Sequence, residues 1–234
     1  MNAISRLPPH GVAMMSSRLH RACHLCGEPN AGRLFDPIGA GLLCDVCEQS
    51  IKPLPAMSVD GIPLLVAHFY DVPFNHIMTA YKDHENLSAF MVLCHLLSTL
   101  PKPKGLMAHR AVIMPTPTTS KRLIKRGFNP VLTLAKHLSY LWQIPIWQGM
   151  SRHDNATHQR GLDKSARLSN VKDDFYLTDE LSAHQVVLFD DVITTGATLT
   201  AMADVIRTHY PKVRPIGVGV LHGKADLHLP IFGK

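Results

Sequence analysis

Short apolar runs alternate along the chain with stretches of helical periodicity. Residues 62–70 (IPLLVAHFY) predict a strand. Residues 73–83 and 86–99 predict helices. In the second, Leu87, Phe90, Met91, Cys94, Leu97 and Leu100 recur at helical spacing, and Pro101 and Pro103 stop it. Cys94 sits in this apolar face and reads as a buried core thiol. Residues 110–114 (RAVIM) predict a short buried strand. Asn129 followed by Pro130 has the chemistry of a helix start, a side-chain acceptor and then a ring with a helical φ, so 129–142 predicts a helix. A short strand over 144–147, an amphipathic helix over 159–170, a strand over 186–189 (VVLF), a helix over 197–209 and a strand over 216–221 complete the pattern. Strands alternating with helices predict an α/β fold, a parallel sheet flanked by helices.

The chain has 234 residues, 46% of them hydrophobic. A chain of this length buries roughly 70–75% of its unfolded surface, so a large core is available. No uninterrupted apolar run approaches the roughly 18 residues of a membrane span. The longest, Phe90 to Leu100, is broken by His95, Ser98 and Thr99. Met1 to Ala22 carries Arg6, Arg18 and Arg21 without a continuous apolar segment, so it does not read as a secretory signal. With Pro8, Pro9 and Gly11 it reads as a flexible arm over residues 1–20. The expectation is a cytoplasmic protein without membrane insertion, whose thiols stay reduced.

Four of the five cysteines form two pairs, Cys23-x-x-Cys26 and Cys44-x-x-Cys47. Each tight turn aims two thiolates at one point, and two such turns complete a tetrahedral site for zinc. Four sulfurs close the coordination shell, which points to a structural metal. Gly27 follows the first pair, where a knuckle turn favours positive φ. Glu48 follows the second, so that turn must close differently. His24 is an alternative ligand by position, though a solvated knuckle residue is the simpler reading. A module this small cannot build its own core, so metal would supply its folding energy. It is expected over residues 21–55. Pro53, Pro55 and Asp60-Gly61 read as its exit linker, leading to a second domain over 61–225.

The net charge is +6, but residues 111–172 carry ten basic and two acidic side chains. Elsewhere acids exceed bases by two. A local excess of cations points to a local anionic ligand.

The segment Val186-Val187-Leu188-Phe189-Asp190-Asp191-Val192-Ile193-Thr194-Thr195-Gly196-Ala197-Thr198 carries the clearest chemistry. Two acids stand at the carboxyl end of a buried strand, where open α/β sheets bind ligands. The Thr-Thr-Gly turn then enters a helix, whose first amides and hydroxyls suit a phosphate. Paired carboxylates accept from the vicinal hydroxyls of a sugar, so a phosphate beside a ribose diol fits. An ordinary strand–turn–helix with solvated acids is the competing reading. The segment resembles the 5-phosphoribosyl-1-pyrophosphate (PRPP) loop of type I phosphoribosyltransferases. The resemblance implies that Asp190 and Asp191 hold the ribose hydroxyls. It implies that Thr194, Thr195, Gly196, Ala197 and Thr198 hold the 5′-phosphate. Enzymes of 6-oxopurine salvage carry an aspartate base where this chain has Thr194, which argues against those acceptors.

The order of motifs narrows the match. A cysteine module, then Arg126-Gly127-Phe128-Asn129, then Gln159, Leu162, Arg167 and Asn170-Val171, then the PRPP-type loop, resembles the ComF family over about residues 20–222. His84-Glu85 stands where that family usually has a glycine after the lysine at 82, which puts a ligand role for Lys82 in doubt. The resemblance makes Thr118, Lys121, Arg122 and Arg126 a pyrophosphate loop, with Mg²⁺ accompanying PRPP. A solvated basic turn is the alternative. Arg152, Gln159, Arg167 and Asn170 form a second basic segment, a cover over the site or a track for nucleic acid. ComF relatives imply a role in natural competence, with single-stranded DNA and a DNA-uptake helicase or related protein as partners. The alternative is an active phosphoribosyltransferase acting on a nitrogenous acceptor. His109, His153 and His158 are candidates for its base only by proximity in the chain.

Overall fold

The computed structural model describes residues 22–29, 42–51, 54–153 and 174–223. The elements, in chain order, are α1 (Asp45–Ser50), β1 (Met57–Val59), β2 (Ile62–Phe69), α2 (Phe74–His84), α3 (Leu87–Ser98), β3 (Ala111–Pro115), α4 (Ser120–Arg126), α5 (Pro130–Trp142), β4 (Met150–Arg152), β5 (Phe175–Leu177), β6 (Gln185–Ile193), α6 (Ala197–His209) and β7 (Arg214–His222).

β2, β7, β6 and β3 lie side by side, all parallel, and β1 pairs antiparallel with β2 at one edge. The predicted strand at 144–147 is reduced to one parallel bridge, Ile146 to Ile113, beyond β3. Because the four strands are parallel, their carboxyl ends share one edge of the sheet.

Helices cover both faces. α2, α3 and α5 pack one face through Met78, Leu93, Leu97, Leu134 and Leu138 against Val187, Phe189, Val218 and Val220. α6 packs the other through Leu199, Met202 and Ile206 against Met114, Val186 and Leu188. α3 buries every residue from Ala89 to Leu97. A helix apolar all round needs cover on its outer side too. Here Cys23, Leu42, Leu43 and Ile51 of the cysteine region join its core, and Glu48 Oε2 lies 2.7 Å from His95 Nε2 of α3.

The start of α5 follows the predicted chemistry, and α3 starts the same way. Asn129 Oδ1 accepts from Leu132 N–H at 3.1 Å with Pro130 in the first turn, and Asn86 Oδ1 accepts from Ala89 N–H at 2.9 Å. Four features differ from the sequence reading. The expected linker contains β1, and Asp60-Gly61 is the turn of a hairpin, with φ of 46° and 72°. Residues 120–126 form a helix with no buried residue, capped by Thr119 and closed by Gly127 at φ 77°. β4 and β5 pair antiparallel as a separate two-stranded ribbon. The strand expected at 186–189 extends to Ile193, taking both acids into the sheet. The arm 1–20 and the helix expected at 159–170 lie outside the described residues.

Candidate ligand site at the sheet edge

β6 brings Asp190 and Asp191 toward the common carboxyl edge. Their environments differ. Asp190 is half-buried, and its Oδ1 accepts from Asp191 N–H at 3.0 Å. Asp191 is only 5% exposed. Its Oδ1 receives Lys82 Nζ of α2 at 2.7 Å, while its Oδ2 is buried with no hydrogen-bond partner among the described residues. Desolvation, and then the adjacent Asp191 charge, push Asp190 up to about 7, with Lys82 pulling the other way.

The chain then leaves the sheet through exposed Thr194 and Thr195 and enters α6 at Gly196. Gly196 has φ 77°, a left-handed conformation that glycine takes without strain. A Cβ at this position would stand 2.6 Å from Val59 Cγ2 of β1. Thr195 Oγ1 accepts a long bond from Ala197 N–H at 3.4 Å, and Gly196 itself offers no capping side chain. The first amides of a helix lack intrahelical acceptors and carry partial positive charge, so this turn suits an anion. The hairpin turn braces it: Thr200 Oγ1 donates to Asp60 Oδ2 at 2.8 Å.

The end of β3 forms the neighbouring wall. Thr116 donates to Phe189 O through its backbone N–H at 2.8 Å and through Oγ1 at 3.1 Å, which ties the start of the 116–119 turn to β6. Beside this turn lies a polar cavity of about 370 Å³, whose walls include Thr116, Thr118, Ser120, Asn129, Gln148 and Arg152. Arg122 of α4 is close enough to Asp190 and Asp191 to feel their charge. Its pKa is nonetheless lowered, by desolvation and then by the like charges of Arg152 and Arg126. Arg126 Nη2 lies 3.7 Å from Asp83 Oδ1. Arg122 therefore stands near the acids, Thr118 lines the polar cavity, Arg126 faces Asp83, and Lys121 is exposed on α4.

Arg152, expected in a cover over the site or a nucleic-acid track, faces inward beside the polar cavity. It does not stand on a solvent-facing track: its side chain is 6% exposed in β4, paired with Asp174 Oδ2 at 2.8 Å and lying 5.3 Å over the Phe175 ring. Gln159, Arg167, Asn170 and His158 lie outside the described residues. His153 packs its ring on Tyr176 at 4.5 Å, and His109 is exposed in a turn. Three residues that sequence reasoning passed over or doubted meet this edge. Lys82 is the first and Asp60 the second. His222 is the third, buried at the end of β7 opposite Ile193, and its burial lowers its pKa. The Asp-Gly pair was a hairpin signal available in the sequence. Nothing local marks the other two.

The four cysteines converge. Their sulfurs all lie within 4.8 Å of one another, and Cys26 Sγ is 3.7 Å from Cys44 Sγ. Tetrahedral sulfurs at about 2.3 Å from zinc stand about 3.8 Å apart, so the cluster has the dimensions to hold a metal such as zinc. Gly27 takes φ 80°, as the first knuckle requires. The second closes as a helix start, with Cys44 at the cap position and Glu48 N–H donating to Cys44 O at 2.9 Å. Burial opposes ionisation of Cys23, but the amides near it outweigh burial and lower it to about 7. Burial and the other thiols push Cys47 up. Four packed thiols resist shared ionisation, and a dication offsets this. Cys94 is a buried thiol of α3, apart from the cluster. No described helix is long and apolar enough to cross a membrane.

Residues 127–231 match the family model described as phosphoribosyl transferase domain, a match that begins just after α4. Competence protein F of Haemophilus influenzae is 35% identical over 194 residues, covering 70% of this chain and 84% of that protein. DNA utilization protein YhgH of Salmonella typhi is 31% identical over 193 residues, covering 79% of this chain and 77% of that protein, and its Salmonella typhimurium counterpart matches equally. With its cysteine cluster ahead of a parallel sheet that ends in Asp190-Asp191 and Thr-Thr-Gly, the chain belongs to the competence protein F family, the ComF-like proteins that carry a phosphoribosyltransferase domain.

Proposed function

We propose that this protein binds PRPP with Mg²⁺ at the carboxyl edge of its sheet, and that it serves the handling of incoming single-stranded DNA in natural competence. The observation that carries the reading is the run from Asp190-Asp191 through Gly196 into α6. Two carboxylates and a helix start stand within one short run of chain, which supports a diol beside a phosphate. Asp190 and Asp191 would hold the ribose hydroxyls, and Thr194 to Thr198 the 5′-phosphate. Thr118, Lys121, Arg122 and Arg126, with the polar cavity beside them, would take the pyrophosphate. Mg²⁺ bound with the pyrophosphate would neutralise part of its charge. Zinc in the Cys23, Cys26, Cys44 and Cys47 site is structural on this reading, since four thiolates leave no position for water. The role in competence rests on the relatives, named for competence and for DNA utilization.

Thermal shift tests the ligand. PRPP with Mg²⁺ raises the melting temperature of the parent protein, and Asp190→Ala with Asp191→Ala abolishes the rise. A parent that does not respond contradicts the site. Pyrophosphate release is then measured against a panel of nitrogenous acceptors. Release that depends on one acceptor replaces the binding role with an active transferase.

A further inference from the structure

Three consecutive residues near the end of α2 reach three different elements. Tyr81 Oη donates to Pro130 O of α5 at 3.0 Å, Lys82 Nζ to Asp191 Oδ1 of β6 at 2.7 Å, and Asp83 meets Arg126 of α4 at 3.7 Å. α2 is thereby fixed over the carboxyl edge of the sheet. Within this arrangement Lys82 is the outer partner of its pair, with 20% of its side chain exposed against 7% for Asp191. Asp191 keeps one oxygen on the ammonium and the other buried without a hydrogen-bond partner among the described residues. A carboxylate held this way is a poor device for stability alone. A buried ion pair gains little over apolar packing, and an unmet acceptor costs more. The arrangement is economical when a donor arrives from outside.

We propose that Lys82 is a positioning residue for the vicinal diol of the ligand. It anchors Asp191 through Oδ1 and leaves Oδ2 as the acceptor for a sugar hydroxyl. Its ammonium, on a flexible stem and the more exposed of the two partners, is the group the diol meets first. The inference rests on the sugar-phosphate site proposed above, and extends it to a residue of α2, far from the loop in sequence.

The test uses the full chain with its metal. PRPP with Mg²⁺ is titrated calorimetrically into the parent, Lys82→Met, Lys82→Gln and Lys82→Arg. The proposal expects Met and Gln to weaken binding at least about tenfold, and Arg to recover most of it. Gln keeps a donor toward Asp191 and covers the case in which Met does not fold. Carbon-13 carboxyl titration of the ligand-free proteins gives a second readout. The titratable and charged groups around the Lys82–Asp191 pair are Asp190 on β6, the neutral Tyr81 on α2, Arg122 on α4 and Arg152 on β4. Lys82 lowers the Asp190 pKa, so removing its charge raises the pH at which Asp190 loses its proton. Neutral variants that bind as tightly as the parent, or tighter, overturn the proposal. A parent that does not bind PRPP defeats the functional reading instead. The carboxyl titration then still decides the coupling, and an unmoved titration overturns the role of Lys82.

Discussion

Asp190 shares the end of β6 with an ionised neighbour and little water, and its carboxyl titrates near 7 instead of near 4. The folded state therefore holds a proton that the unfolded state gives up at lower pH. Stability is lost as pH rises from about 4 to about 7, and the loss is level above that. Asn at this position cannot ionise and escapes the penalty. Asp190→Asn is expected to melt about 2–4 °C above the parent at pH 8, the shift that ~1 kcal/mol gives in a chain of this size. The gain should shrink toward pH 5. A variant that melts lower than the parent at pH 8 contradicts this account of the acid pair. Stability gained by removing a group while ligand binding is lost is the behaviour of a site held under strain for function. At this scale the sequence identified the acids and the Thr-Thr-Gly turn, because they are contiguous. Lys82 was invisible as a partner, because its contact spans 109 residues and only packing of α2 on the sheet creates it.

At the scale of elements, the loop owes its shape to a hairpin that local periodicity did not reveal. β1 is three residues long, too short to register alternation, and Asp60-Gly61 resembles a linker when read alone. In the fold, Val59 packs on Gly196 and Asp60 accepts from Thr200. Gly196→Ala places a methyl group against Val59 in a left-handed backbone. It is expected to cost about 1–3 kcal/mol, from the φ penalty and the overpacking together. Adding Val59→Ala relieves the contact but not the backbone strain, so the double variant should recover only part of the stability. Full recovery, or no loss in Gly196→Ala, contradicts the brace; chemical denaturation measures both. The long helices and central strands were legible, since each buries an apolar face with its own period. β4 and β5 were not, since three-residue strands carry too few positions to show one.

For the whole molecule, the cysteine region and the sheet domain share a core. Cys23, Leu42, Leu43 and Ile51 lie in the cluster that contains α3 and the face of the sheet. Stripping the metal should therefore lower the melting temperature of the entire described fold. A free, unfolded tail beside an unchanged domain is the opposite outcome, and calorimetric melting before and after chelation separates them. The charge also resolves at this scale. Among the described residues the cations of 111–172 stand on α4, at Lys136 of α5 and at Arg152, which is paired within the fold, while Arg160, Lys164, Arg167 and Lys172 lie outside the described residues. Less of it is free to hold nucleic acid than the count of cations implies. Affinity for single-stranded DNA is expected to fall with salt, but with the shallow slope of a few phosphate contacts.

Isothermal titration of PRPP with Mg²⁺ tests the central claim most directly. The parent should bind at one site per chain, and Asp190→Asn with Asp191→Asn, still folded by circular dichroism, should not bind. A parent that shows no binding, or a double variant that binds as the parent does, contradicts the assignment of the sheet edge as the PRPP site.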